Sequence, residues 1–133
     1  MIYYLDTNLC IHILNDKSQH CLNKIGEIGI QSVFLPSVVV AELFYGAYKS
    51  VKREQNLAKI RTFIHQFAIV GFDSSAMEIY GVIRVELERR GKPIGANDVF
   101  IAAIAKANNA TLVTNNTKEF NRVSDLVLED WTQ

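Results

Sequence analysis

The chain has little of what breaks or staples a fold. Its 133 residues include only two prolines, seven glycines and two cysteines. So few chain breakers exclude a long unstructured linker. Cys10 and Cys21 fall in separate predicted helices, with no Cys-x-x-Cys spacing and no histidine cluster nearby. They read as two free thiols in a reducing cytosol, not as a disulfide framework or a zinc site. No stretch reaches the roughly 20 apolar residues that a membrane-spanning helix needs, and no basic region precedes Ile2, so neither a span nor a signal peptide is expected. An excess of one charge is also missing: 14 basic and 14 acidic residues cancel. Any contact with nucleic acid must therefore come from a local patch and not from the global field. What remains is 49% hydrophobic and 21% charged, the balance of a folded chain. The length suits one domain with a real core, expected over residues 1–133 and in the cytoplasm.

What is present starts with Ile2-Tyr3-Tyr4-Leu5-Asp6-Thr7-Asn8. Four apolar or aromatic residues run without alternation into a carboxylate, which reads as a strand buried on both faces in a parallel sheet. Asp6 then lies where the strand ends, the place where open α/β sheets bind ligands; it is equally a good helix N-cap. A short helix over Leu9 to Leu14 is expected to break at Asn15-Asp16, and a second to end near Gly29. His12 and His20 have no acid at metal-ligand spacing and read as surface or half-buried residues.

Val33 to Pro36 reads as a brief buried strand, and Ser37 as the cap of a helix over Val38 to Lys49. On that helix Val38, Glu42 and Tyr45 share a face at i, i+4, i+7. A carboxylate in so apolar a stretch is costly to bury unless something pairs with it, which marks Glu42 as a candidate site residue. A basic helix with the stripe Leu57, Ile60, Phe63, Ile64 and Phe67 follows. Ile69 to Phe72 is the next strand candidate, and Ser75 with Glu78 fits a capping box for a helix running to Arg90 and Gly91. Pro93-Ile94-Gly95-Ala96-Asn97-Asp98 opens an alanine-rich helix expected from Val99 to Asn108, with Asp98 in its first turn. Thr111 to Thr114 forms another short strand, ending in Asn115-Asn116-Thr117 with Glu119 one turn on. Val127-Leu128 closes the series as an edge strand. Strands and helices alternate throughout, which predicts an α/β fold with a mostly parallel sheet, right-handed crossovers and helices on both faces.

These residues carry a resemblance. Leu-Asp-Thr-Asn at 5–8, Ser-Val-Val-Val-Ala-Glu-Leu at 37–43, Ile-Gly-Ala-Asn-Asp-Val-Phe-Ile-Ala-Ala at 94–103 and Leu-Val-Thr-Asn-Asn-Thr-Lys-Glu-Phe at 112–120 resemble the motifs of PIN-domain ribonucleases. More narrowly, they are similar to the VapC-type toxins of bacterial toxin–antitoxin pairs. Each motif is short, but four in register over the whole chain are specific. The resemblance implies a PIN-like three-layer α/β/α sandwich and a cluster of acids binding Mg²⁺, with Mn²⁺ able to substitute. It also implies endoribonuclease cleavage of structured RNA, commonly tRNA near the anticodon, inhibition of translation, a VapB-like antitoxin and a homodimer. Asp6, Glu42 and Asp98 match the family's acids. At the fourth position, where many members carry Asp, this chain has Asn116.

The chemistry of the residues agrees with that implication. Mg²⁺ takes oxygen ligands, usually a couple of carboxylates completed by waters and substrate phosphate. Gathered without a cation, Asp6, Glu42 and Asp98 would repel one another. Asp6 and Asp98 are expected as the metal ligands, with Glu42 acting through water or orienting the nucleophile. Glu119 is expected to supply the fourth catalytic carboxylate in place of Asn116. Thr7, Asn8, Thr114 and Asn116 are expected in support, and Arg84, Arg89, Arg90, Lys92 and Lys118 are candidates for holding RNA. Two other readings compete. An apolar strand ending in Asp-Thr also opens haloacid-dehalogenase phosphatases, but their signature wants a second Asp where Asn8 stands. A PIN-like binding module without activity is the non-enzymatic alternative, and the three matching acids count against it.

Overall fold

The short unbroken apolar runs become five strands: β1 (Tyr3–Leu5), β2 (Val33–Pro36), β3 (Ala68–Val70), β4 (Thr111–Val113) and β5 (Leu128–Glu129). In the computed structural model, which describes residues 1–15 and 18–132, they form one sheet in the order β3-β2-β1-β4-β5. Every pairing is parallel, with Tyr4 of β1 opposite Phe34 on one side and Leu112 on the other. The connecting helices are α1 (Thr7–Leu14), α2 (Gln19–Ile28), α3 (Ser37–Lys49), α4 (Arg53–His65), α5 (Ser74–Arg89), α6 (Ala96–Ala107) and a single turn, α7 (Thr117–Phe120). They flank the sheet in an α/β sandwich, the predicted architecture. The predicted break at Asp16 lies outside the described residues.

The core explains why the central strands do not alternate. Leu5, Leu35, Leu112 and Val113 are fully or almost fully buried in the sheet. Val39 and Leu43 of α3 pack toward them, and so do Ile101 and Ile104 of α6. Burying each such side chain contributes roughly 1.5–3 kcal/mol. The alanines at 102, 103 and 105 are also buried, and their small size lets α6 approach the sheet closely. Cys10 and Cys21 are free and buried. Burial pushes both thiols up, Cys10 well above the usual range, so neither is poised as a nucleophile or metal ligand.

Helix starts differ from expectation by a few residues. Ser37 does not cap α3; Pro36, extended at φ −60° and ψ 142°, occupies that position and Ser37 is already helical. Asp73, not Ser75, caps α5, its carboxylate accepting the Ala76 N–H at 3.0 Å. α6 begins at Ala96 after Gly95, three residues before its predicted start. At the other end of α5, Gly91 takes φ 66°, a left-handed turn that glycine adopts without strain.

The order of the strands fixes where a ligand can sit. From β1 the chain moves outward through β2 and β3, then returns to place β4 on the opposite side of β1. That reversal makes a topological switch point between β1 and β4, and the crevice of such a sheet lies beyond the strands' carboxyl ends. The residues that follow those ends are Asp6 and Thr114.

Candidate active site

Asp6 is 4% exposed and tied at both oxygens. Oδ1 accepts the Leu9 N–H at 2.9 Å, so the residue does cap α1 as its type predicts. Oδ2 accepts the hydroxyl of Thr114, itself wholly buried at the end of β4. The cap and the candidate ligand are therefore one side chain, and its orientation is fixed by two elements. Burial raises its pKa from the ordinary carboxylate value; the two hydrogen bonds oppose the rise, and Glu42 and Asp130 add to it.

Glu42 reaches the same end of the sheet from α3. Sequence periodicity places it on an apolar face, yet that face opens on the crevice: Glu42 is half-buried and Tyr45, one turn on, is 67% exposed. The Thr7 hydroxyl donates to Oε1 at 2.5 Å and the Asn97 amide to Oε2 at 3.2 Å. Thr7 thus holds Glu42, whereas Thr114 holds Asp6. Asn97 had no assigned role from sequence. The available signal was its place beside Asp98 in the first turn of α6, where neighbours point about 100° apart and so reach different partners.

Asp98 is half-buried in that turn, its carboxyl pushed up to about 6. Burial is the first cause; the negative charges of Glu119, Asp6 and Glu42 follow in that order. Asp98 on α6 therefore feels the charges of three other carboxylates, carried by the end of β1, α3 and α7. Glu119 is also the acceptor of a 2.6 Å hydrogen bond from the Asn116 amide, the i, i+3 pair on α7. The Asn116 backbone N–H in turn donates to Thr114 Oγ1 at 2.9 Å. A continuous chain of bonds runs from Glu119 through Asn116 and Thr114 to Asp6. Asn8 is exposed in the first turn of α1.

The donor set is all oxygen, the chemistry of a hard divalent cation. Mutual repulsion and burial raise Asp98, and bound positive charge would relieve that. Among the described residues, no three His, Cys, Asp or Glu side chains converge closely enough to hold an ion by themselves. Waters or a substrate phosphate would have to complete the shell of any divalent cation held here.

The cationic candidates sit differently from one another. Arg84 pairs with Glu88 at 3.2 Å and donates to the Tyr80 hydroxyl. Arg90 lies 3.7 Å from Glu86 and bonds the Arg122 carbonyl. These two are committed to structure on and around α5, while Arg89, Lys92 and Lys118 are exposed. Arg122, not singled out from sequence, donates to the Pro93 carbonyl at 3.1 Å and braces the turn before α6.

Comparison with known proteins bears on this arrangement. The model of the PIN domain matches residues 3–126. Ribonuclease VapC2 of Rickettsia felis is 44% identical over 132 residues, covering 98% of each chain. The tRNA(fMet)-specific endonuclease VapC of Shigella flexneri is 38% identical over 130 residues, again 98% of each. Among solved structures, a DNA-bound VapBC from Salmonella typhimurium aligns with a TM-score of 0.94 at 36% identity, covering 98% of each chain. VapBC2 from Rickettsia felis, bound to a promoter DNA fragment, aligns at 0.90 with 42% identity, covering 98% of this chain and 99% of that one. Family model, relatives and fold agree over nearly the whole chain: it belongs to the PIN-domain family, in the VapC-type ribonuclease branch.

Proposed function

We propose that this chain is the toxin of a toxin–antitoxin pair, a Mg²⁺-dependent endoribonuclease that cleaves structured RNA, specifically tRNA near the anticodon. The endoribonuclease class goes with the family. The tRNA substrate is supported by the name of the Shigella flexneri relative, and a VapB-type antitoxin by the VapBC structures that share this fold. On this reading the protein acts in the cytoplasm as one 1–133 domain, and as the homodimer that the family resemblance implies.

The observation that carries the reading is the convergence of Asp6, Glu42, Asp98 and Glu119 beyond the carboxyl ends of β1 and β4. Asp6 and Asp98 would hold the cation as principal ligands, and Glu42 and Glu119 would act directly or through water. When bound, Mg²⁺ orients the scissile phosphate, lowers the pKa of the attacking water and stabilises the leaving oxygen. The protein's own part is preorganisation. Thr114 and the Leu9 N–H fix both oxygens of Asp6, and Thr7 and Asn97 fix both oxygens of Glu42. Such positioning lets the acids meet the reacting phosphate without first reorganising.

The test is cleavage of total bacterial tRNA by the purified protein. Cuts should appear with Mg²⁺, vanish in EDTA and return when Mg²⁺ is restored. Asp6→Asn and Asp98→Asn should each remain folded and fail to cut. Unchanged Mg²⁺-dependent cleavage by either variant would remove it from the site. In bacteria, the wild type produced alone should arrest growth, and its cognate antitoxin should relieve the arrest.

A further inference from the structure

Beside the acidic crevice lies an open pocket of about 520 Å³, in the range of small-ligand sites. Val38 lines it, and Tyr45, Phe72 and Phe100 contribute aromatic surface. Glu42 and Asn97, joined by their hydrogen bond, also line it. Two of the rings pack against aromatic neighbours. Phe72 meets Phe100 edge-on at 5.0 Å and 80°, and Tyr80 stacks on Phe100 at 4.5 Å and 23°. Tyr45 is the exception, standing 67% exposed on α3 one turn beyond Glu42. The Lys49 ammonium sits 5.6 Å from the centre of the Tyr45 ring.

We infer that this pocket receives one nucleobase of the RNA substrate, that of a nucleotide adjoining the scissile phosphate, with Tyr45 as its stacking surface. The inference rests on the endoribonuclease reading and extends it to substrate positioning. Three features select a nucleotide as occupant. Glu42 belongs to both the pocket and the acidic crevice, so a base lodged here would lie beside the acids. Asn97 spends one amide N–H on Glu42, leaving a second N–H and a carbonyl oxygen to meet a base edge. Lys49 at the Tyr45 ring offers positive charge to the next phosphate along the strand. Aromatic faces interleaved with cations are how single-stranded RNA is gripped, since every base has a π-face. The α3 helix thereby carries both a candidate catalytic acid and a positioning residue, three positions apart on one face.

The experiment measures steady-state cleavage, across substrate concentrations, of an RNA hairpin containing the site that the wild type cuts in total tRNA. A series of hairpins replaces each nucleotide flanking the cut, in turn, by an abasic ribose. Wild type, Tyr45→Ala and Tyr45→Phe are compared, with Asp98→Asn as the inactive control and light scattering to report oligomeric state. Stacking worth about 1–3 kcal/mol predicts a loss of about 5- to 150-fold in kcat/KM for Tyr45→Ala on the intact hairpin. The loss should lie mainly in KM. Tyr45→Phe should stay near wild type, because the ring stacks and not the hydroxyl. At one flanking position, removing the base should cost the wild type heavily and Tyr45→Ala little. An abasic penalty that is the same for wild type and Tyr45→Ala at every position overturns the inference. So does a uniform loss accompanied by a fall in molecular mass, since Tyr45 then serves a contact between copies. If the wild type cuts no RNA at all, the endoribonuclease reading itself fails, and this inference with it.

Discussion

At the scale of single residues, the site is built from carboxylates whose neighbours decide their charge. Asp98 titrates at about 6 in the folded, metal-free protein against 3.8 for an unperturbed group. Because the folded value is raised, the folded state favours the protonated form, and the stability this contributes is lost as pH climbs from about 4 through about 6. Asp98→Asn should therefore raise the melting temperature of the metal-free protein at pH 7–8, with the gain shrinking as pH falls toward 4. Thermal unfolding in EDTA across that range checks it, and an advantage that does not depend on pH would contradict the charge argument. Protons and Mg²⁺ compete for the same oxygens, so the Mg²⁺ needed for half-maximal cleavage should rise as pH falls through about 6. Thr114 makes a different case. Its hydroxyl donates to Asp6 and accepts the Asn116 N–H, all with no exposure to solvent. Thr114→Val keeps the shape and strips both bonds, which should cost about 1–3 kcal/mol for the polar groups left unpaired. Urea unfolding reads that loss, and cleavage should drop with it because Asp6 is no longer held. A variant as stable and as active as wild type would show that Thr114 is merely packed.

At the scale of elements, the fold was legible wherever a pattern was local and unbroken. Tyr3 to Leu5, Val33 to Pro36 and Thr111 to Val113 are apolar runs without alternation, and each is a strand. Helix starts were less legible because several good capping residues stand together, and the backbone angle chooses among them. Asp73 and Ser75 both suit an N-cap; Asp73 holds the extended conformation, so it takes the role. The face carrying Glu42 was legible as apolar but not as open, because what it faces is set by β1, α1 and α6 from distant parts of the chain. The turn α7 raises the sharpest question of this kind. Asn116 stands where an acid was expected, and it donates to Glu119 at 2.6 Å. The amide thus orients the longer carboxylate, whose charge acts on Asp98 before any other acid's. Glu119→Gln should raise the Mg²⁺ requirement for cleavage more than Asn116→Ala does, since only the first removes charge. Asn116→Asp sets a second carboxylate against Glu119 and should lower the melting temperature without metal, yet enlarge the shift that Mg²⁺ produces. Cleavage rate and melting temperature against Mg²⁺ for the three variants decide it. A Glu119→Gln curve that overlays wild type would remove Glu119 from the site.

At the scale of the whole molecule, the charges cancel at 14 against 14, yet they are not spread evenly. Four acids are gathered beyond the sheet, and the two ion pairs seen among the described residues involve none of them. A polyanion approaching this end meets repulsion that no excess of positive charge offsets. A phosphate about 6 Å from a single carboxylate is repelled by about 3 kcal/mol at an effective dielectric of about 20. A divalent cation in the crevice would reverse the sign of that local field, so metal should be needed to bind RNA as well as to cut it. The comparison is made in EDTA, where nothing is cleaved, by fluorescence anisotropy of labelled tRNA. The double variant Asp98→Asn/Glu119→Gln should bind at least about tenfold more tightly than wild type there, a difference of about 1.4 kcal/mol. Raising the salt toward 1 M should narrow the gap, because the Debye length falls to about 3 Å and hides the acids from the phosphates. Adding Mg²⁺ should improve binding by the double variant only slightly, since the charge that attracts the ion has been halved. Equal affinity of the two proteins in EDTA at low salt would mean that RNA does not approach the acidic crevice at all.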